Sequence, residues 1–154
     1  MKVTNAFHKW QKFLLKLFCC YLLGMATVVQ ADIAIIVNPV NSGVSMNLSS
    51  IQDIFLGIKL KLPNGATVSP LDQSSEQAIR QKFYQLVAGK SAVEMKAYWA
   101  RIIFTGRGSP PPVLPDGSAI RHRVASDKGA IGYVDASLVQ DASDVSIIFT
   151  IPTQ

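Results

Sequence analysis

The chain has 154 residues, 49% of them hydrophobic and only 16% charged, with a formal net charge of +5. Four of its 15 basic residues, Lys2, Lys9, Lys12 and Lys16, fall in the first 16 positions, which hold no acid. That placement excludes a basic nucleic-acid footprint, because such a footprint needs Lys and Arg clustered on the folded domain. It points instead to a targeting segment.

The apolar run from Leu17 to Val29 follows the lysines, and Val29-Gln30-Ala31 supplies small or apolar residues before a cut after Ala31. A basic start, a short apolar centre and a small-residue exit form the pattern of a secretory signal peptide over residues 1–31. Thirteen apolar residues fall short of the roughly 20 that a bilayer span needs. Cys19 and Cys20 both lie in this segment, after Lys16-Leu17-Phe18, which lacks the small residues of lipoprotein processing. Cutting 31 residues from 154 leaves 123, with 11 basic and 10 acidic residues. This remainder has no cysteine, hence neither a disulfide nor a thiolate metal site, and it must be held by core packing. The expected location is the periplasm or the exterior, and residues 32–154 are expected to form one domain.

Ile33-Ala34-Ile35-Ile36-Val37 is an uninterrupted β-branched run, the mark of a strand buried on both faces. Asn38-Pro39 ends it, and the polar loop Asn41-Ser42-Gly43 follows. Ser49 to Gln52 reads as a capping box opening a short helix that turns Ile51, Ile54 and Phe55 inward and stops near Gly57. Pro63-Asn64-Gly65 is a turn, and Thr67-Val68-Ser69 begins a second strand ending near Leu71. Ser74 to Gln77 reads as a second capping box, with Ser74 as N-cap. The helix it opens carries Ile79, Phe83, Leu86 and Val87 on one stripe and closes at Gly89. Ser91 and Glu94 make a third box, before a helix with Met95, Tyr98, Trp99 and Ile102 inward and a stop at Gly106. Tyr98 and Trp99 complete that stripe and are read as core.

From Gly106 to Gly117 the prolines at 110–112 and 115 deny regular structure. A last helix is expected over Ser118 to Asp127 with Ile120 and Val124 inward. Ala130 to Val134 and Val145 to Phe149 read as strands. Alternation of strands and helices implies an α/β fold, a sheet covered by helices in two or three layers.

The chemistry-bearing residues are sparse. His122 stands alone between Arg121 and Arg123 on the last helix, without an imidazole partner, and reads as solvated. No His/Cys/Asp/Glu group has metal spacing. Gly106-Arg107-Gly108 lacks the Lys-Ser/Thr of a nucleotide loop. Acids are scattered singly, with no carboxylate pair. Neither catalysis nor a metal or cofactor is expected.

A binding function survives. In open α/β sheets ligands settle past the carboxyl ends of strands, where the N–H groups and dipole of a helix start attract anions. The loop carrying Ser42 and Gly43 follows strand one. Ser74 and Ser75 follow strand two and open a helix. Arg107, between two glycines, offers a bidentate fork to an oxyanion. Asp72 repels a fully ionised anion yet can accept a hydrogen bond from a protonated one.

Several segments in this order resemble a known family. They are the opening strand ending in Asn38-Pro39, the stretch from Ile54 to Lys59, the stretch from Val68 to Phe83, the segment Tyr98 to Gly108, and Gly129-Ala130-Ile131-Gly132-Tyr133-Val134. The chain resembles the phosphate-binding periplasmic proteins of ABC transporters, of the type II periplasmic binding fold, as a short branch the size of one lobe. The resemblance implies phosphate or a similar oxyanion as ligand, a membrane transporter or envelope protein as partner, and Ser74 and Ser75 as the positions matching the ligand loop. The glycines of that family's Gly-Ser-Gly-Thr loop are missing here, and Glu76 adds a negative charge beside it. The alternative is an interaction or sensory module that kept the fold and lost the ligand.

Overall fold

The structure, a computed structural model, describes residues 32–153. The signal peptide expected over residues 1–31, with Cys19 and Cys20, lies outside the described residues. Strand β1 (Ile33–Val37) is buried along its whole length, as its apolar run requires. It sits inside a four-stranded sheet of order β2-β5-β1-β6, with β2 at Ser69–Pro70, β5 at Ala130–Asp135 and β6 at Ser146–Ile151. β1 runs antiparallel to both β5 and β6, and β2 runs parallel to β5. The register with β6 shifts between Ile35 and Ile36. A second, two-stranded ladder pairs β3 (Asp72–Gln73) in parallel with β4 (Val113–Leu114). The proline-rich stretch, read from the sequence as irregular, therefore contributes a strand of two residues at a sheet edge, where the missing proline N–H groups cost nothing.

Alternation along β1 assigns the two sheet faces. Ile33, Ile35 and Val37 pack against helices α1 (Leu48–Phe55), α2 (Ala78–Ala88) and α3 (Ala92–Phe104). Ala34 and Ile36 face α4 (Gly117–Ser126) on the other side. The result is three layers, a sheet covered by helices. The larger core is aromatic: Phe83 stacks on Tyr133 at 3.9 Å between ring centroids, and Phe55 meets both rings edge-on. On the other face α4 lies close because Gly132 has no side chain; a Cβ there would overlap Ile120 Cγ2.

The inward residues fall where their spacing places them: Ile51, Ile54, Phe55, Phe83, Val87, Met95, Trp99, Ile120 and Val124 are all buried. The helix starts differ. α1 is capped by Asn47, whose Oδ1 accepts from Ser50 N at 2.8 Å, not by Ser49. α4 starts at Gly117 under an Asp116 cap. The Ser91–Glu94 box forms as expected. Ser74 caps nothing. Gln77 N donates to Ser74 O, which closes a turn, and α2 begins only at Ala78. Gln77, the residue expected to reach back to Ser74, instead donates from Nε2 to Pro115 O at 3.2 Å.

Candidate functional site

Among the described residues, three of the four α-helices have a side chain closing their first turn: Asn47, Ser91 and Asp116. α2 has none; Gln77 at its N-cap makes no cap hydrogen bond. The first N–H groups of a helix have no intrahelical acceptor and carry the positive end of its dipole. α2 begins at Ala78, four residues after Ser74, and Arg80 N already donates to Gln77 O at 3.0 Å.

Two hollows flank this start. The first, of about 400 Å³, is lined by Gln73, Gln77, Ala78, Ile79, Asp116 and Asp135. Its two carboxylates are already acceptors, Asp116 for Ala119 N and Asp135 for Ser137 N, and their charge opposes an anion. The second, of about 600 Å³, presents Ser75, Arg80 and Lys96 beside Asp72, with an apolar wall that includes Val93, Trp99 and Ile103. Electrostatics favour the second for an oxyanion, since it alone of the two carries cations.

Asp72 shapes this second hollow. It is 2% exposed, and its carboxylate accepts from Arg80 Nε at 3.0 Å, Tyr84 OH at 3.1 Å, Tyr133 OH at 2.6 Å and Gln73 N at 2.8 Å. Arg80 Nη2 adds a second contact at 3.0 Å. Burial, then the nearby Asp72 charge, pushes both tyrosine hydroxyls well above their ordinary range, so both remain donors. Gln73 extends the network through Nε2 to Tyr133 O at 2.8 Å. β3, α2 and β5 are thereby pinned together at the floor of the hollow. With five donors in place, Asp72 has little capacity left to accept from a protonated ligand. Arg80 stays 17% exposed at its side chain and lines the hollow.

The structure separates the residues that the sequence grouped. Ser75 lines the second hollow, with Ser74 half-buried beside it. Ser42 and Gly43 are exposed and lie at the other end of the sheet. β1 is antiparallel to β5 while β2 is parallel to it, so the carboxyl ends of β1 and β2 point in opposite directions. Asn38 confirms the placement, donating from Nδ2 to Val124 O and Ala125 O at the far end of α4. Grouping Ser42 and Gly43 with Ser74 and Ser75 requires strands one and two to end on the same side of the sheet, and they end on opposite sides. Arg107 is exposed and lines a third hollow, apart from Ser75. Arg80, Lys96, Tyr84 and Tyr133 were missed. Arg80 and Tyr84 stand eight and twelve residues after Asp72, a spacing that becomes meaningful only once β3 is known to lead into α2. His122 is exposed on α4, and no group of three or more potential metal ligands occurs among the described residues.

No family model matches the sequence, and no curated protein sequence is similar to it. Solved structures are similar in fold. A phosphate ABC transporter substrate-binding protein from Clostridium perfringens, solved with bound phosphate, superposes with a TM-score of 0.60 at 20% identity. It covers 77% of this chain and 44% of its own. An ABC-type phosphate transport receptor from Vibrio cholerae gives 0.59 at 16% identity over 77% and 45%. PstS from Borrelia burgdorferi gives 0.59 at 11% identity over 77% and 46%. The fold is that of the phosphate substrate-binding proteins. The chain spans less than half the length of each. These neighbours are binding proteins rather than enzymes, and among the described residues no helix is long and apolar enough to cross a membrane.

Proposed function

We propose that this chain is an exported solute-binding protein that holds phosphate or a similar oxyanion at the start of α2 and hands it to a membrane transporter or another envelope protein. Residues 1–31 act as its signal peptide, and residues 32–154 are the binding domain. The observation that carries the reading is the hollow presenting Ser75, Arg80 and Lys96; the uncapped first turn of α2, Gln77 to Ile79, lines the neighbouring hollow. Ser75, with Ser74 beside it, supplies hydroxyl donors, and Lys96 supplies the cation, while Arg80 shares its charge with Asp72. A fold shared with proteins named for phosphate transport supports the ligand class. Calorimetry of the full-length protein with phosphate, sulfate and acetate tests it. Saturable heat with phosphate, lost in Ser74→Ala/Ser75→Ala and in Lys96→Met, is the expected result. No heat with any of the three at millimolar concentration refutes it.

One observation favours a second reading, a module that kept the fold and lost the ligand: Asp72 already pairs with Arg80. On that reading a partner protein co-purifies, and it still does so with the Ser74→Ala/Ser75→Ala variant.

A further inference from the structure

A third hollow, of about 330 Å³, lies between α3 and the loop after it. Leu60, Trp99, Ile102 and the prolines 110–112 form its walls, and Arg107 stands in its lining. The loop is held by the end of α3. Gly106, at φ 65, turns the chain so that Arg107 N donates to Ile102 O at 3.1 Å. Trp99 is 6% exposed, and its Nε1–H is a buried side-chain donor without a hydrogen-bond partner among the described residues. A buried indole N–H ordinarily finds an acceptor, and leaving one unmet costs about 1–3 kcal/mol. The opposite edge of the ring is braced at Gly57, where a Cβ would lie 3.2 Å from Trp99 Cη2. Arg107 takes part in neither of the ion pairs formed among the described residues, Arg80–Asp72 and Arg121–Asp144.

A tryptophan with an unmet donor, an arginine in neither of those ion pairs and hydrocarbon walls thus line one small hollow. We infer that it is a binding site for a small monocarboxylate with an apolar body; it shares Trp99, Pro110 and Pro111 with the second hollow but none of Ser75, Arg80 and Lys96. The body packs on Trp99, Ile102 and the prolines, and the carboxylate takes the fork of Arg107 and the indole N–H. One cation matches one negative charge. A phosphate dianion would bring a second charge with no partner against apolar walls, which is costly. The volume is at the small end of ligand pockets. Because the indole N–H is closed to water, binding turns the ring or lifts the glycine-flanked loop, and the indole itself reports the event.

The full-length protein labelled with ¹⁵N-tryptophan has two indole resonances, from Trp10 and Trp99, and Trp10→Phe identifies the second. Titration with 3-phenylpropionate or octanoate should move the Trp99 indole proton downfield and saturate. Arg107→Met, an exposed change that leaves the core intact, should weaken the effect about tenfold, the loss of one charge-assisted hydrogen-bond pair. Ser74→Ala/Ser75→Ala should leave it unchanged. Absence of a saturable shift at millimolar carboxylate overturns the inference. So does an equal response in Arg107→Met, or an equal response to inorganic phosphate.

Discussion

Replacing Asp72 by alanine removes the acceptor that ties β3 to α2 and β5. The variant leaves the Arg80 guanidinium without its carboxylate and two buried hydroxyls, Tyr84 and Tyr133, without their acceptor. Removing one partner of a buried ion pair costs about 3–5 kcal/mol. Arg80 retains 17% exposure, so water reaches it in part and the lower figure applies to the pair. Each stranded hydroxyl adds about 1 kcal/mol, for a total of about 5 kcal/mol. Arg80→Met should cost less, about 2–3 kcal/mol, because the carboxylate keeps Tyr84 OH, Tyr133 OH and Gln73 N. Asp72→Ala/Arg80→Met leaves no charge unpaired, and its cost should fall below the sum of the single changes by about 2 kcal/mol. Urea unfolding followed by circular dichroism measures all three. An Asp72→Ala loss under about 1 kcal/mol, or strict additivity in the double variant, would refute the network as the lock on the α2 start.

Tyr84 and Tyr133 have hydroxyl pKa values raised by burial, so above the ordinary tyrosine value of 10.0 the unfolded chain loses protons that the folded one keeps. Stability is then full below pH 10 and falls above it by about 1.4 kcal/mol per pH unit for each tyrosine; Tyr133→Phe should halve that slope in urea melts taken from pH 9 upward. Asn47→Ala should destabilise by about 1 kcal/mol while Ser49→Ala stays within about 0.5 kcal/mol, a contrast that thermal melts would reverse if Ser49 were the cap. Gly132→Ala forces a methyl into Ile120 and should cost about 1–3 kcal/mol or more, with α4 amides losing protection from hydrogen exchange first; an unchanged exchange pattern would contradict the close α4 packing.

Much of this protein was written in local pattern. The β-branched run of β1, the apolar spacing of α2 and α3, the Ser91–Glu94 box and the glycines at 57, 89 and 106 each depend on neighbours within a few residues, so the sequence alone determined them. It also determined a sheet covered by helices, because β1 has no polar side to show to water, while the choice between two and three layers came from the tertiary structure. Strand direction depended on tertiary pairing: β1 turned out antiparallel to β5, which sent Ser42 and Gly43 to the far end of the sheet from Ser75. The start of α2 did as well, since Ser74 spends its backbone on a turn and on Leu114 before the helix begins. The Asp72 network joins residues up to 61 positions apart. No local periodicity encodes such a contact, and it exists only because the aromatic core brings Tyr84 and Tyr133 to the same buried carboxylate.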